Sequence, residues 1–387
     1  MSFIPYSRPV LDAEEINEVV DTLKSGWLTT GPKVARFEND FKEYVGSSYA
    51  LAVNSATSGL HLALEAIGIG PGDKVITTVH TFTATAEVIR YLGADPIFVD
   101  IEADSYNISP KEVEKALIKH QNVKAVMPVH YAGQSANITE ITKLAKKYGV
   151  KVVEDAAHAL PTTHNGKIVG TLSDITVFSF YANKTITTGE GGMITTDDAE
   201  LADRMKVMRL HGINRDAFDR FTSTKPSWYY EIVAPGFKYN MMDVCGALGI
   251  HQLKKAKHFQ EIRESIAKRY SDAFIGLPVI TPILVNQNDI HAWHIYVLQL
   301  KLEELTINRD EFIKLLSERN VGTSVHYIPL HRMPYWKENF NLSDEQFPNS
   351  SRISDRIVSL PNFASMTDEE VCIVIDTVKS LLLEFTK

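Results

Sequence analysis

The sequence predicts an α/β protein, with a mostly parallel sheet between helices in a large domain (1–250) and a smaller α+β domain (251–387). Three observations carry this. Up to about residue 250, short apolar runs alternate with amphipathic helical stretches, the pattern of strand–helix–strand crossovers. Runs such as KAVMPV are apolar throughout, as where helices cover both faces of a sheet. Beyond a long helical stretch the pattern becomes irregular, with fewer strands.

Taken in order, SYALAVNS reads as a strand and SGLHLALEAIGI as a helix, with Leu60, Ala63, Leu64 and Ile67 on one face at i, i+3, i+4 and i+7. DKVITTV, DPIFVDI, VKAVMPVHYA and VKVVEDA are the next strands. Between them lie the helical stretches TATAEVIRYLG, SPKEVEKALIKH and NITEITKLAKKYG. VCGALGIHQLKKAKHFQEIRESIAKRYSDAF is a long connecting helix. AWHIYVLQL, NRDEFIKLLSERN, GTSVHYIP and TDEEVCIVIDTVKSLLLEF then supply the strands and helices of the second domain. No internal repeat or low-complexity tract interrupts the chain.

Composition narrows the function. The 387 residues are 44% hydrophobic and 23% charged, ordinary values for a globular protein. The formal net charge of −8, without a basic block, argues against nucleic acid as a partner. Two cysteines, Cys245 and Cys372, outside any CxxC or Cys/His cluster, argue against a structural metal and fit a reduced, cytoplasmic protein. The N-terminal stretch lacks the pattern of a secretory signal, and no apolar run reaches the roughly 18–20 residues that cross a bilayer.

In parallel sheets ligands bind beyond the carboxyl ends of the strands, and the conspicuous polar residues lie there. NSATSG follows one strand and opens a helix; its Ser55, Thr57 and Ser58 are either an ordinary helix cap or a phosphate cradle. Asp155 ends an apolar strand in KVVEDAAHAL, with His158 three residues on; it reads as a helix cap or as an acid facing a cationic cofactor atom. The run ITVFSFYANK closes on Ser179 and Lys184, and a lone lysine at a strand end is most often solvated. Phe82 reads as a core aromatic or as a stacking surface. Together they satisfy the requirements of pyridoxal 5′-phosphate. A cradle holds the phosphate, an acid keeps the pyridine nitrogen protonated, and a lysine captures the aldehyde and later shuttles a proton. A nicotinamide dehydrogenase would need a GxGxxG turn, which NSATSG does not supply. A non-catalytic regulator would have lost Lys184 or Asp155, and both are present.

Nearly end to end, the chain resembles the DegT/DnrJ/EryC1/StrS family of fold-type I pyridoxal-phosphate enzymes that aminate nucleotide-linked keto-sugars. The matching stretches, in order, include SGWLTTGP, NSATSGLHLAL, PVHYAG, VEDAAHA, FSFYANKTITTGEGG, LHGINRDAFDR, PGFKYNMMD, AWHIY and VHYIPLH. The resemblance implies an aspartate-aminotransferase-like fold. Lys184 would hold the cofactor's aldehyde and Asp155 its pyridine nitrogen. Thr57, Ser58 and Ser179 would hold the phosphate, His158 would lie near the ring's phenolic oxygen, and Phe82 would stack on the ring. Asn240 would reach the phosphate in the neighbouring subunit, which makes a homodimer. Trp27, Thr29 and His326 would approach the sugar. L-glutamate is the implied amino donor. The favoured acceptor is carbon four of UDP-4-keto-6-deoxy-N-acetylglucosamine, with a UDP-4-keto-pentose or a dTDP-keto-hexose as alternatives. Relatives that dehydrate sugars replace the lysine by histidine, and here the lysine is present.

Overall fold

The computed structural model describes residues 3–214 and 229–387. Residues 215–220 of the LHGINRDAFDR stretch therefore lie outside the described residues.

The apolar runs of the first half become a seven-stranded sheet. Its strands are β1 (Tyr49–Val53), β2 (Lys74–Thr78), β3 (Asp95–Val99), β4 (Val123–Val126) and β5 (Lys151–Asp155), then, after a short hairpin of β6 (Thr163–His164) and β7 (Lys167–Ile168), β8 (Ile175–Ser179) and β9 (Gly192–Thr196). They lie in the order β1-β9-β8-β5-β4-β2-β3. The pairs from β8 to β3 are parallel, and β9 runs antiparallel to both β8 and β1. GMITT, which the alternation of strands and helices leaves unassigned, is that reversed strand. It returns directly from β8 by a hairpin-like excursion rather than by a helix.

Helices Ala56–Ala66, Ala84–Tyr91, Pro110–Lys119 and Ile138–Tyr148 fill the connections and cover the sheet with two apolar clusters. On the sheet face of the second of these clusters, opposite the first, Phe37 and Phe41 of helix Pro32–Val45 meet Phe178 and Phe180 in a third. The long helix Asp243–Ala273 crosses that cluster closely because Gly246 and Gly249 carry no side chain. A Cβ on Gly246 would come within 2.9 Å of the Val34 nitrogen.

The second half builds a three-stranded antiparallel sheet of β10 (Val279–Ile280), β11 (Tyr296–Leu300) and β12 (Ile357–Leu360). Helices Arg309–Glu318 and Asp368–Glu384 pack on it. The position 250/251 falls inside the long helix. Its Ile250, Leu253, Ala256 and Phe259 belong to the large-sheet side, and its Ile266, Ala267, Tyr270 and Phe274 to the small-sheet core. Ile4, at the start of the chain, also joins the small-sheet core and bridges Val321. Among the described residues no helix is long and apolar enough to cross a membrane.

Candidate active site

The carboxyl ends of β1, β5 and β8 and the start of helix Ala56–Ala66 open on one cavity of about 420 Å³. Eight of the site candidates singled out from the sequence line it: Ser55, Thr57, Phe82, Asp155, His158, Ser179, Lys184 and His326.

Asp155 is the last residue of β5, and strand alternation sends its side chain to the face opposite that of Glu154. Glu154 is fully buried behind it, accepting from Ser173 Oγ at 2.6 Å and from His130 Nε2 at 2.8 Å. His130 Nδ1 already accepts the Ala136 N–H, so its proton sits on Nε2. This pair pins the strand end that presents Asp155. On the cavity side, Asp155 Oδ2 accepts from Thr85 Oγ1 at 2.8 Å and Oδ1 from the Ala157 N–H at 3.1 Å. Burial raises its pKa, against those hydrogen bonds and the charge of Lys184. A cation placed before it would reverse that shift.

Lys184 sits on the excursion between β8 and β9. Phe180 pairs with Gly191 and Thr188 with Phe180 through the backbone, closing it. Burial pushes the Lys184 ammonium down to about 8, with Asp155 opposing the shift. About a tenth is therefore the neutral amine, the nucleophilic form, at pH 7, far more than for a solvated lysine. The glycines behind it are required by space. A Cβ on Gly192 would lie 2.8 Å from the Ala56 nitrogen and 2.8 Å from the Phe178 oxygen. The reversed strand thus lies against the helix start.

Ser55 caps that helix, accepting the Ser58 N–H at 3.1 Å, so the capping reading of NSATSG holds for Ser55. Ser58 does not line the cavity, because the third residue of the helix turns inward and its hydroxyl donates to Asn54 Oδ1 at 2.5 Å. Thr57 and Ser179 face the cavity, together with the helix start. Asn240 is not in the cavity of its own chain. It bridges Val53 through the backbone, while its amide donates to Thr30 Oγ1 at 2.7 Å and accepts from Lys238 Nζ at 2.6 Å. Trp27 and Thr29 also stand outside the cavity; the Trp27 indole donates to the Thr30 carbonyl at 3.1 Å. Phe82 is 59% exposed and is not a core aromatic.

His158 is placed at the cavity but has both ring nitrogens engaged. Nδ1 accepts the Ala132 N–H at 3.3 Å and Nε2 meets the Tyr327 hydroxyl at 3.0 Å. Burial, then the charges of Lys184 and His326, holds the ring well below its ordinary pKa and thus neutral. His326 is likewise pushed down to about 3 by burial and sits 2.8 Å from Ser359 Oγ.

Sequence reasoning missed Thr85, which orients Asp155, and Tyr327, Asn183 and Glu190, which line the cavity. The hydroxyl-rich stretch HTFTAT after β2 was the available signal for Thr85. Tyr327 lies beside His326 in the matching stretch VHYIPLH, but nothing local shows that it reaches a cavity built mostly from the first half of the chain.

The donor set fits pyridoxal phosphate. Helix-start amides and two hydroxyls suit a phosphate, a buried acid suits a pyridinium, and a partly neutral lysine suits an aldehyde. Among the described residues no group of three His, Cys, Asp or Glu could hold a metal ion.

Residues 9–379 match the model of the DegT/DnrJ/EryC1/StrS aminotransferase family. The chain is 47% identical to the spore coat polysaccharide biosynthesis protein SpsC of Bacillus subtilis, over 98% of this chain and 97% of that one. It is 49% identical to an uncharacterized protein, MJ1066, of Methanocaldococcus jannaschii, over 99% and 98%. Among solved structures it resembles the putative sugar aminotransferase Spr1654 of Streptococcus pneumoniae in its PMP-form, with TM-score 0.91 and 32% identity over 98% and 99% of the chains. It also resembles Helicobacter pylori PseC, an aminotransferase involved in the biosynthesis of pseudoaminic acid, with TM-score 0.91 and 31% identity over 100% of both chains.

Proposed function

The chain belongs to the DegT/DnrJ/EryC1/StrS aminotransferase family, and from that premise we propose that it moves an amino group from L-glutamate to carbon four of a UDP-linked 4-keto-6-deoxy-N-acetylhexosamine. It is a sugar aminotransferase, and pyridoxal 5′-phosphate is its cofactor. The observation that carries the chemistry is a lysine held near pKa 8 and a buried aspartate lining the same cavity. The choice of sugar is supported by the likeness of the matching sequence stretches to those of enzymes that aminate UDP-linked 4-keto sugars. It is also in keeping with the polysaccharide and pseudoaminic acid roles named for SpsC and PseC.

The cofactor, when bound, supplies an aldehyde that accepts an amine and a ring that withdraws electrons. Asp155 keeps a proton on the pyridine nitrogen, with Thr85 fixing the carboxylate's direction. Thr57, Ser179 and the start of helix Ala56–Ala66 hold the phosphate. Lys184 Nζ would hold the cofactor's aldehyde and, when free of it, would take a proton from glutamate's α-carbon in one half-reaction and deliver one to the sugar's carbon four in the other. Phe82 would stack on the ring and His326 would meet the sugar. Glutamate leaves as 2-oxoglutarate, so nitrogen and electrons balance. The enzyme acts as a homodimer in which Asn240 serves the neighbouring subunit's phosphate.

The test is a panel of UDP- and dTDP-linked keto-sugars with glutamate, following 2-oxoglutarate and the amino-sugar by mass spectrometry. Amination of the 4-keto-6-deoxy-N-acetylhexosamine at least about tenfold faster than the pentose or the dTDP sugars is expected. Preference for either alternative overturns the substrate, and glutamate consumption without any amino-sugar overturns the acceptor class.

A further inference from the structure

The hydrogen bonds around His158 have only one consistent direction. The Ala132 N–H can only donate, so His158 Nδ1 is the acceptor. A neutral imidazole then carries its proton on Nε2, and that N–H donates to the Tyr327 oxygen at 3.0 Å. The donation occupies the phenol as an acceptor and leaves its own O–H to point elsewhere. Among the described residues no acceptor takes that proton, and Tyr327 lines the cavity.

The arrangement is built rather than incidental. Ala132 adopts φ +58°, a left-handed conformation that is strained for a non-glycine residue. The neighbouring Gly133 is crowded, a Cβ there meeting Ala292 at 2.9 Å. The Tyr327 ring stacks on His158 at 6.2 Å and 24°, and it stands 6.1 Å from Phe82. Asp155, His158, His326, Tyr131 and Tyr6 are the titratable groups around it. Burial, then Asp155 and Tyr6, pushes the phenol well above its usual pKa, so the proton stays on at working pH.

We infer that Tyr327 is a catalytic residue that donates its hydroxyl proton to the cofactor's ring oxygen, with His158 and the Ala132 N–H acting as positioning groups behind it. This rests on the reading of the cavity as the pyridoxal-phosphate site. The resemblance alone puts His158 near that oxygen, but the histidine has no donor left for it. The large domain therefore supplies the aiming pair and the small domain the donor, so the donor is in place only when the two domains are apposed.

A donor to the ring oxygen draws charge away from it and weakens its hold on the neighbouring proton. Removing the donor raises the pH at which the bound cofactor's visible band titrates. In the holoenzyme, Tyr327→Phe should raise that pH by about one unit, a size typical of losing one such hydrogen bond. His158→Phe should raise it in the same sense, and the double variant should go no further than Tyr327→Phe alone, because the histidine acts through the tyrosine. His158→Gln, which keeps an N–H for the phenol, should restore the wild-type value. If Tyr327→Phe is poorly folded, Tyr327→Met read in the same titration decides, since any side chain without the hydroxyl must raise that pH. An unchanged titration in Tyr327→Phe overturns the assignment. So does an unchanged titration accompanied by a raised KM for the sugar, which would put the hydroxyl on the substrate. A wild-type protein with no visible band would instead overturn the cofactor reading.

Discussion

Thr85 Oγ1 donates to Asp155 Oδ2 at 2.8 Å, joining the helix after β2 to the end of β5 across the floor of the cavity. Thr85 in turn lies 2.8 Å from Thr81 Oγ1; because its own proton goes to Asp155, it accepts there. A buried carboxylate with its oxygens tied to Thr85 and to the Ala157 N–H has one direction in which to meet a pyridinium. Asp155→Asn, nearly isosteric, should leave the melting temperature within a few degrees and lower kcat by about 10²-fold or more. Thr85→Val should give a smaller loss, about tenfold, with the fold intact. Wild-type turnover in Asp155→Asn would reduce Asp155 to a turn-former.

Lys184 is the predicted point of cofactor attachment. Borohydride treatment of the yellow holoenzyme, followed by peptide mass spectrometry, should find the cofactor's mass on the peptide containing Lys184. Lys184→Ala should lose at least about 10³-fold in rate, since both capture of the aldehyde and the proton shuttle go with it. The mass on a different lysine would dismiss the assignment.

Because burial holds Lys184 near 8, the pH dependence of cofactor capture by the cofactor-free protein is set in sign and position. The neutral amine is the reactive form. Below about pH 8 the capture rate should fall nearly tenfold per unit, and above it the rate should level off. Stopped-flow absorbance between pH 6 and 9.5 measures it. A rate still climbing tenfold per unit above pH 9 would mean an ordinary, solvated lysine.

Gly192 must stay small because β9 passes against both the helix start and β8. Gly192→Ala would place a methyl 2.8 Å from the Ala56 nitrogen and from the Phe178 oxygen. Neither is a flexible side-chain end, so the strand or the helix start must shift. A loss of about 1–3 kcal/mol in stability and a several-fold weaker hold on the cofactor are expected from urea melts and equilibrium dialysis. Unchanged cofactor affinity would separate β9 from the phosphate cradle.

The proposed sharing of sites between subunits makes a complementation experiment decisive. Mixed Lys184→Ala and Asn240→Asp protomers, each inactive as a homodimer, should regain activity on exchange, since one site of each heterodimer carries neither lesion. The Asp substitution removes the amide that reaches Thr30 and sets a negative charge toward a phosphate. No recovery after verified exchange would mean that each site is made by one chain.

What the sequence determined by itself is what local pattern can encode. Alternation of apolar runs with helical stretches specified the strands β1 to β5 and β8 and the helices between them, since period and burial are properties of contiguous residues. Asp155, Ser179, Thr57 and Lys184 were legible because each sits at the carboxyl end of such a run or just beyond it, where a parallel sheet must open its site. Only the tertiary structure decided the rest. GMITT could have run either way, and its reversal depends on pairing with β1, far back in the chain. Ser58 reads like its neighbours in NSATSG, but its helical phase turns its hydroxyl to Asn54. Asn240 and Trp27 spend their donors on Thr30, a competition no window of sequence reveals. Tyr327 is brought from the second domain to the His158 ring, so its role follows from the direction of hydrogen bonds between residues far apart in the chain.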